Sequence, residues 1–183
     1  STVHSCQPLP LLALPQALWR RRLYASTGTK WPTHVMSNPS IHEGGCLCGA
    51  IRYRATSSPI RGVLCHCPMC RRHSGAPVMA FVHFRVEDFA WVRSEPARYR
   101  SSAFAERGFC PACGSTLSMH ETVLDDRVQI AVGSLDQPQH VRIDDHVWTQ
   151  HQLPWFQVDD RLPRFSASST AVPTKAAGGE NKA

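Results

Sequence analysis

Residues 65–70 read CHCPMC, which places three cysteines and one histidine within six positions. Three interpretations are open: a disulfide cluster, a closed structural metal site, or a metal site with one free coordination position. Two further clusters, CLC at 46–48 and CPAC at 110–113, contain four of the other five cysteines. Such tight spacings are typical of metal ligands rather than of disulfides that cross-link distant segments of secreted proteins. We therefore predict metal binding in a reducing compartment, with the cytoplasm as the expected location.

The CLC and CPAC clusters predict a closed metal site with four sulfur ligands. Each cluster is flanked by glycine, which lets the backbone turn tightly and present amides to sulfur. Two such half-sites, far apart in sequence, are the usual way to build a tetrahedral structural zinc site. The predicted ligands, called the quartet below, are Cys46, Cys48, Cys110 and Cys113.

The remaining cluster predicts a second metal site, formed by Cys65, Cys67 and Cys70 and called the trio below. A fourth ligand from the protein would make this site structural, whereas water or substrate in that position would make it catalytic. His66 is a poor candidate for the fourth ligand, because adjacent side chains of an extended backbone point in opposite directions. Four other histidines remain candidates: His73, His120, His146 and His151. A redox dithiol is a weaker interpretation, because it needs no third thiol.

The segment 38–165 reads as a series of short strands separated by glycine, proline, aspartate and serine. In AIRYRA at 50–55, for example, Ile51 and Tyr53 alternate with Arg52 and Arg54, the period of a half-buried strand. A brief helical turn is predicted after Cys67. The predicted fold is therefore mostly β, with antiparallel strands and little helix.

The two ends of the chain differ in composition from this domain. Residues 1–37 carry four basic and no acidic residues and resemble a transit-like or non-native extension, and residues 166–183 are small and polar, typical of a disordered tail. The segment 38–165 has fourteen arginines and thirteen acidic residues, so a basic nucleic-acid-binding face is not predicted. No apolar run approaches the roughly 20 residues that span a membrane.

Six motifs, taken together, resemble the glutathione-dependent formaldehyde-activating enzyme (GFA) family, which is also called the centromere-protein-V (CENP-V) domain family. They are spread over residues 44–165. In chain order they are GGCLCGAIRY at 44–53, CHCPMCRRHSGAP at 65–77, FCPACGS at 109–115, GSLDQP at 133–138, HVWTQHQLPWF at 146–156 and DDRLPRF at 159–165.

The resemblance implies a β-tent fold stapled by zinc, with the quartet as the structural site and the trio at the active site. It implies a carbon–sulfur lyase that joins glutathione and formaldehyde into S-hydroxymethylglutathione. The second zinc is expected to be held more weakly. Because glutathione carries two carboxylates, Arg71 and Arg72 are the predicted substrate-binding residues. His66 is a further candidate, either orienting substrate or shuttling a proton, with a simple surface histidine as the alternative.

Two other functions remain open from the sequence. The domain could be a zinc enzyme that acts on a different thiol or aldehyde adduct. It could instead be a non-enzymatic, zinc-stapled interaction module whose basic extension binds an acidic partner. His146 and His151, near Trp148 and Trp155, are candidates to line a pocket, and the large apolar residues near the end of the domain are expected to anchor the core: Trp155, Phe156 and Phe165.

Overall fold

The computed structural model describes residues 41–169, and this part of the chain is built mainly from β-strands. The strands are β1 His42–Gly45, β2 Arg52–Ala55, β3 Arg61–Cys65, β4 Met79–Arg85, β5 Phe89–Trp91, β6 Ala97–Arg100, β7 Ala105–Phe109, β8 Thr116–Glu121, β9 Arg127–Ala131 and β10 Asp145–Val147. One α-helix occurs among the described residues, α1 Pro68–Ser74. These elements confirm the predicted mostly-β class and the predicted helical turn after Cys67.

The strands form two sheets. The small sheet has the order β1-β2-β5, and the large sheet has the order β10-β3-β4-β9-β8-β7-β6. Neighbouring strands run antiparallel, except that β10 pairs parallel to β3, with His146 opposite Leu64. A parallel pair needs a long connection between its strands, and here six strands of the large and small sheets intervene between β3 and β10. The large sheet is therefore mixed, whereas the small sheet is wholly antiparallel.

Both faces of the large sheet are buried, as the alternation along β4 shows. Phe81 packs on one face with the cysteines of the trio, and we call this the trio face. Val82 and Phe84 point to the opposite face, where they pack against Tyr53 of the small sheet. Because successive side chains of a strand alternate between faces, one strand contributes to two separate clusters.

The small sheet confirms the period-two pattern of residues 50–55. Tyr53 is fully buried, and its hydroxyl lies 2.8 Å from Ser134 Oγ. Arg52 and Arg54 point to the other side, where Arg52 pairs with Asp136 and Arg54 with Glu43. Burial of a large side chain of this kind stabilises the fold by about 1.5–3 kcal/mol.

Residues 159–169 run alongside β10 and extend the described domain. The amide of His146 donates to the carbonyl of Pro163 at 2.9 Å, and the amide of Trp148 donates to that of Ala167 at 3.0 Å. Arg61 also donates to Ser169 Oγ. Residues 166–169, which the sequence assigned to the tail, thus contact the large sheet, while the predicted extension 1–37 and residues 170–183 lie outside the described residues. No helix within 41–169 has the length and apolar character required to cross a membrane.

Candidate metal centres

The quartet lies where two turns, one from each sheet, meet. Cys46 and Cys48 are in the β1–β2 turn, and Cys110 and Cys113 are in the β7–β8 turn. The four sulfurs lie within 4.8 Å of one another, with 3.5 Å between Cys46 and Cys48 and 3.8 Å between Cys48 and Cys110. A disulfide requires about 2.05 Å. Sulfurs that share a tetrahedral zinc ion lie about 3.8 Å apart, so this set fits a metal and not a bridge.

The two turns of the quartet share a backbone design. Gly49 and Gly114 both have φ of 74°, a conformation that glycine adopts without strain. The amide of Gly49 donates to the carbonyl of Cys46 at 3.0 Å, and that of Gly114 donates to Cys110 at 2.8 Å. Hydrogen bonds from the Ser115 hydroxyl and amide lower the pKa of Cys113 to about 5. The sequence thus folds locally into two thiolate-presenting turns.

The trio is assembled at the junction of β3 and α1. Cys65 ends β3, Cys67 is the N-cap residue of α1, and Cys70 lies in its first turn. The Cys67 sulfur accepts from the Cys70 amide at 3.3 Å, and Pro68 occupies the first helical position, which suits proline. All three side chains are buried, and their sulfurs lie within 4.8 Å of one another. A single local segment therefore presents three sulfurs to one point.

Mutual hydrogen bonding favours thiolate in the trio. Hydrogen bonds from the Cys65 and Cys70 thiols lower the pKa of Cys67 to about 2, and the charge of Arg107 acts in the same direction. The same interactions raise the pKa of Cys65, because the first proton leaves Cys67. These contacts therefore favour the thiolate form of Cys67, the form that binds a metal dication.

Within residues 41–169, no histidine, aspartate or glutamate joins the trio as a fourth ligand. The four candidate histidines lie elsewhere: His146 bonds to other side chains, His151 is exposed, and neither His73 nor His120 has a ring nitrogen in the cluster. The expectation of three sulfurs with one free position fits this geometry.

A small cavity of about 50 Å³ opens beside Cys65 on the trio face. Trp148 lines this cavity and packs against the apolar residues around the trio. Its backbone lies in the left-handed region, with φ of 59°. Glu121 lines the cavity as well, and burial raises the pKa of this carboxyl. The cavity therefore brings an ionisable oxygen to the same space as a ligand sulfur.

A wider groove of about 410 Å³ lies along α1 and is lined by both predicted substrate-binding arginines, Arg71 and Arg72. Trp155 forms part of its wall and is 73% exposed. The expectation that Trp155 anchors the core is therefore wrong, because its ring faces this groove. Phe165 is 41% exposed, so it too is not a core anchor.

His66 lies on the far side of its backbone from the trio sulfurs and is fully buried. Its Nε2 lies 2.9 Å from Nδ1 of His146, whose Nε2 lies 2.9 Å from the carboxylate of Asp160. The interpretation of His66 as a surface histidine is wrong, because β10 and the segment after residue 159 cover it. Its observed contacts hold that segment against the end of β3, and contact with substrate stays a prediction.

Arg107 of β7 is a site residue that the sequence did not reveal. Its guanidinium donates to Cys70 Sγ from Nη1 at 3.6 Å and from Nη2 at 3.7 Å, and the side chain is only 2% exposed. The spacing of Arg107 from Cys110 carries no such signal, because its approach to the trio depends on how β7 pairs in the large sheet.

Comparison with known proteins identifies a family for this chain. The family described as glutathione-dependent formaldehyde-activating enzyme matches residues 41–151, which contain all seven predicted ligands. The chain belongs to the glutathione-dependent formaldehyde-activating enzyme family. This GFA chain is 40% identical over 76 residues to an uncharacterized lyase of Schizosaccharomyces pombe, a match over 42% of this chain and 55% of that relative.

The chain thus spans about half the length of that curated relative. A crystal structure of a Rhodobacter sphaeroides protein aligns with 67% of the GFA chain and 98% of its own, with 19% identity and a TM-score of 0.43.

Proposed function

We propose that the chain is a zinc-dependent carbon–sulfur lyase of the GFA type. In the synthetic direction it would add the thiol of glutathione to formaldehyde and release S-hydroxymethylglutathione. The observation that carries the proposal is the buried trio, which has three converging sulfurs and no fourth protein ligand among residues 41–169. A closed site such as the quartet offers no position for chemistry, whereas a site with three protein ligands does.

The donor chemistry of both sets suits zinc, since thiolate sulfur is a preferred zinc ligand and the sulfur separations fit a tetrahedron. Cys46, Cys48, Cys110 and Cys113 would hold a structural ion, and Cys65, Cys67 and Cys70 would hold a second one. When bound to the trio, zinc supplies an open position that lowers the pKa of an incoming thiol. Because these thiols must stay reduced, we propose a cytoplasmic location.

Arg71 and Arg72 would bind the carboxylates of glutathione in the groove along α1. Arginine pairs with a carboxylate through two parallel hydrogen bonds, which fixes both position and orientation. The same helix carries Cys70, directly before Arg71 in the chain, so the groove and the trio share one short element. Trp155 adds a broad apolar wall at the other side of the groove.

The addition itself moves one proton and forms one bond. The glutathione sulfur attacks the carbonyl carbon, the carbon–sulfur bond forms, and the π electrons move to oxygen. The proton lost by the thiol must reach this oxygen. Glu121 is suited to carry it, because burial raises the pKa of its carboxyl and its side chain lines the cavity beside Cys65.

The test is adduct formation measured by exchange spectroscopy with ¹³C-formaldehyde and glutathione, using the zinc-loaded full chain. We expect exchange well above the uncatalysed rate, and a Cys67→Ser variant should return it to that rate. Replacing both arginines, Arg71→Gln with Arg72→Gln, should raise KM for glutathione roughly tenfold or more.

The same double variant should leave KM for 2-mercaptoethanol, a thiol without carboxylates, nearly unchanged. If wild type accelerates addition to other thiols but not to glutathione, the chain acts on a different thiol adduct. If no thiol and aldehyde pair reacts faster than in buffer, the lyase proposal is wrong.

A further inference from the structure

Arg107 is a buried cation that forms no ion pair with a carboxylate of residues 41–169. It lies near the middle of β7, between β6 and β8, and its side chain reaches the trio face. Apart from Cys70, its described side-chain hydrogen bond goes from Nε to Ser101 Oγ at 3.1 Å. None of the ion pairs within residues 41–169 includes it.

A buried guanidinium must find its counter-charge nearby. Arginine stays protonated in proteins, and an unpaired charge in the interior is strongly destabilising. The atom that both terminal nitrogens approach is Cys70 Sγ, at 3.6 and 3.7 Å. Glu121 lies within range of the charge of Arg107, but burial raises the pKa of that carboxyl and disfavours its anion. The anions in direct contact with Arg107 are therefore the sulfurs of the trio.

Among the described residues, no cation contacts the sulfurs of the quartet. Their contacts come from backbone amides such as those of Ile51 and Ser115, from the Ser115 hydroxyl and from one another. Cys48 is also exposed, so solvent can screen the charge of that site. The two cysteine sets thus differ in their surroundings as well as in ligand number: the buried set has an arginine, and the partly exposed set has none.

The charge of the buried site follows from these contacts. Three thiolates and one dication carry a net charge of minus one, and Arg107 brings the assembly to zero. An anionic fourth ligand then brings it to minus one. Without Arg107 the same ligand would leave minus two in the interior, where charges are poorly screened. A neutral fourth ligand would not change the charge in either case.

We propose that Arg107 makes the trio selective for an anionic fourth ligand, a thiolate, over a neutral one. The inference rests on the proposed function in one respect, namely that the trio holds a metal with a free position. Arg107 does not touch the reacting atoms in this role. It is a positioning residue that acts through Cys70 and through its charge.

The test compares two added ligands on the full chain loaded with Co²⁺, followed by its visible absorption spectrum. The ligands are 2-mercaptoethanol, which binds as a thiolate, and imidazole, which binds as a neutral molecule. The quartet has no free position, so the spectral change reports on the trio. In Arg107→Gln we expect roughly 10- to 100-fold weaker thiol binding and less than about threefold change for imidazole.

Arg98→Gln is the matched control, because Arg98 lies on the adjacent strand β6 and its ion pairs are with Glu95 and Glu106. It should leave both affinities unchanged. Equal weakening for both ligands in Arg107→Gln would overturn the inference, because it would show a merely structural role. Binding of neither ligand by wild type would instead overturn the proposed open site.

A second variant keeps the inference testable if Arg107→Gln does not load Co²⁺. Arg107→Lys retains the positive charge without the planar fork. The ratio of thiol to imidazole affinity should then stay within about threefold of wild type, because the charge and not the fork sets the preference. A tenfold fall in that ratio with the lysine variant would contradict the charge-based role.

Discussion

His83 shows how strongly burial in this fold can change the pKa of one side chain. It lies on the trio face of β4, is 4% exposed, and neither ring nitrogen has a hydrogen-bond partner within the described residues. Burial lowers the pKa of the imidazole to about 4, and the charges of Arg61 and Arg127 act in the same direction, against Asp126. The folded protein therefore holds His83 neutral where an unfolded chain would protonate it.

We expect this histidine to make folding stability depend on pH. Between about pH 6.5 and pH 4 the unfolded state binds a proton at this position and the folded state does not, so stability falls as pH falls. The loss between pH 7 and pH 5 should be about 2 kcal/mol. Denaturant unfolding of wild type and His83→Gln at both pH values measures it, with the exposed His151→Gln as control. Equal pH dependence in wild type and His83→Gln would contradict the expectation.

At the residue scale, the sequence predicted what depends on local spacing and missed what depends on strand pairing. Cysteines two or three positions apart can share an ion whatever the rest of the chain does, so both cysteine sets were recognisable. The burial of Arg107 against Cys70 requires β7 and α1 to meet on the trio face, and no local pattern encodes that meeting. The same holds for His66, whose partner His146 lies 80 residues away.

The quartet acts at the scale of whole elements, because it joins the β1–β2 turn of the small sheet to the β7–β8 turn of the large sheet. Two of its cysteines, Cys46 and Cys110, form a separate small apolar cluster with Ile51 and Leu117. A cluster of this size buries little area, so an ion bound by the quartet would contribute much of the attachment at this end of the two sheets. The trio, by contrast, lies within one β3–α1 segment and joins no distant elements.

We therefore expect Cys46→Ser or Cys110→Ser to unfold the domain, because a structural zinc ion supplies folding free energy comparable to the whole stability of a small domain. Cys67→Ser should retain the fold, since serine also caps helices well, and should lose thiol binding. Circular dichroism melting and metal content per chain distinguish these variants. Greater damage to folding by Cys67→Ser would show that the structural and open sites are assigned the wrong way round.

Among the elements, the period-two strands were predictable because one face of each is apolar, as in 50–55. The parallel pairing of β10 with β3 was not, because hydrophobic alternation is the same in parallel and antiparallel strands. The attachment of residues 163–169 beside β10 was not predictable for a related reason. It combines backbone hydrogen bonds, which any sequence can make, with polar side-chain contacts such as Arg61 to Ser169.

At the scale of the whole molecule, charge is unevenly distributed. Residues 1–37 carry four basic and no acidic residues, while 38–165 carry fourteen arginines against thirteen acidic residues. The domain itself is nearly neutral, which favours a small-molecule enzyme over a nucleic-acid-binding protein. Because residues 1–37 are basic, they are the part of the chain in which binding to an acidic partner can be tested.

Deleting residues 1–35 should leave metal content and thiol addition unchanged, because the described metal sites lie within residues 46–113. Any DNA binding by the full chain should disappear with the deletion. In the full chain, a plot of log affinity against log salt concentration should have a slope no steeper than about −3.6, the value for four cations. DNA binding that survives the deletion would show that the domain, and not the extension, binds nucleic acid.

The different chain separations of the two cysteine sets bear on the order in which the protein is made. The trio spans six consecutive positions, so a nascent chain can capture an ion there as soon as that segment is synthesised. The quartet must close a loop, since Cys48 and Cys110 are 62 positions apart, and this closure costs entropy until both sheets have formed. A metal ion supplied during synthesis would therefore have a complete set of trio ligands before the quartet could close.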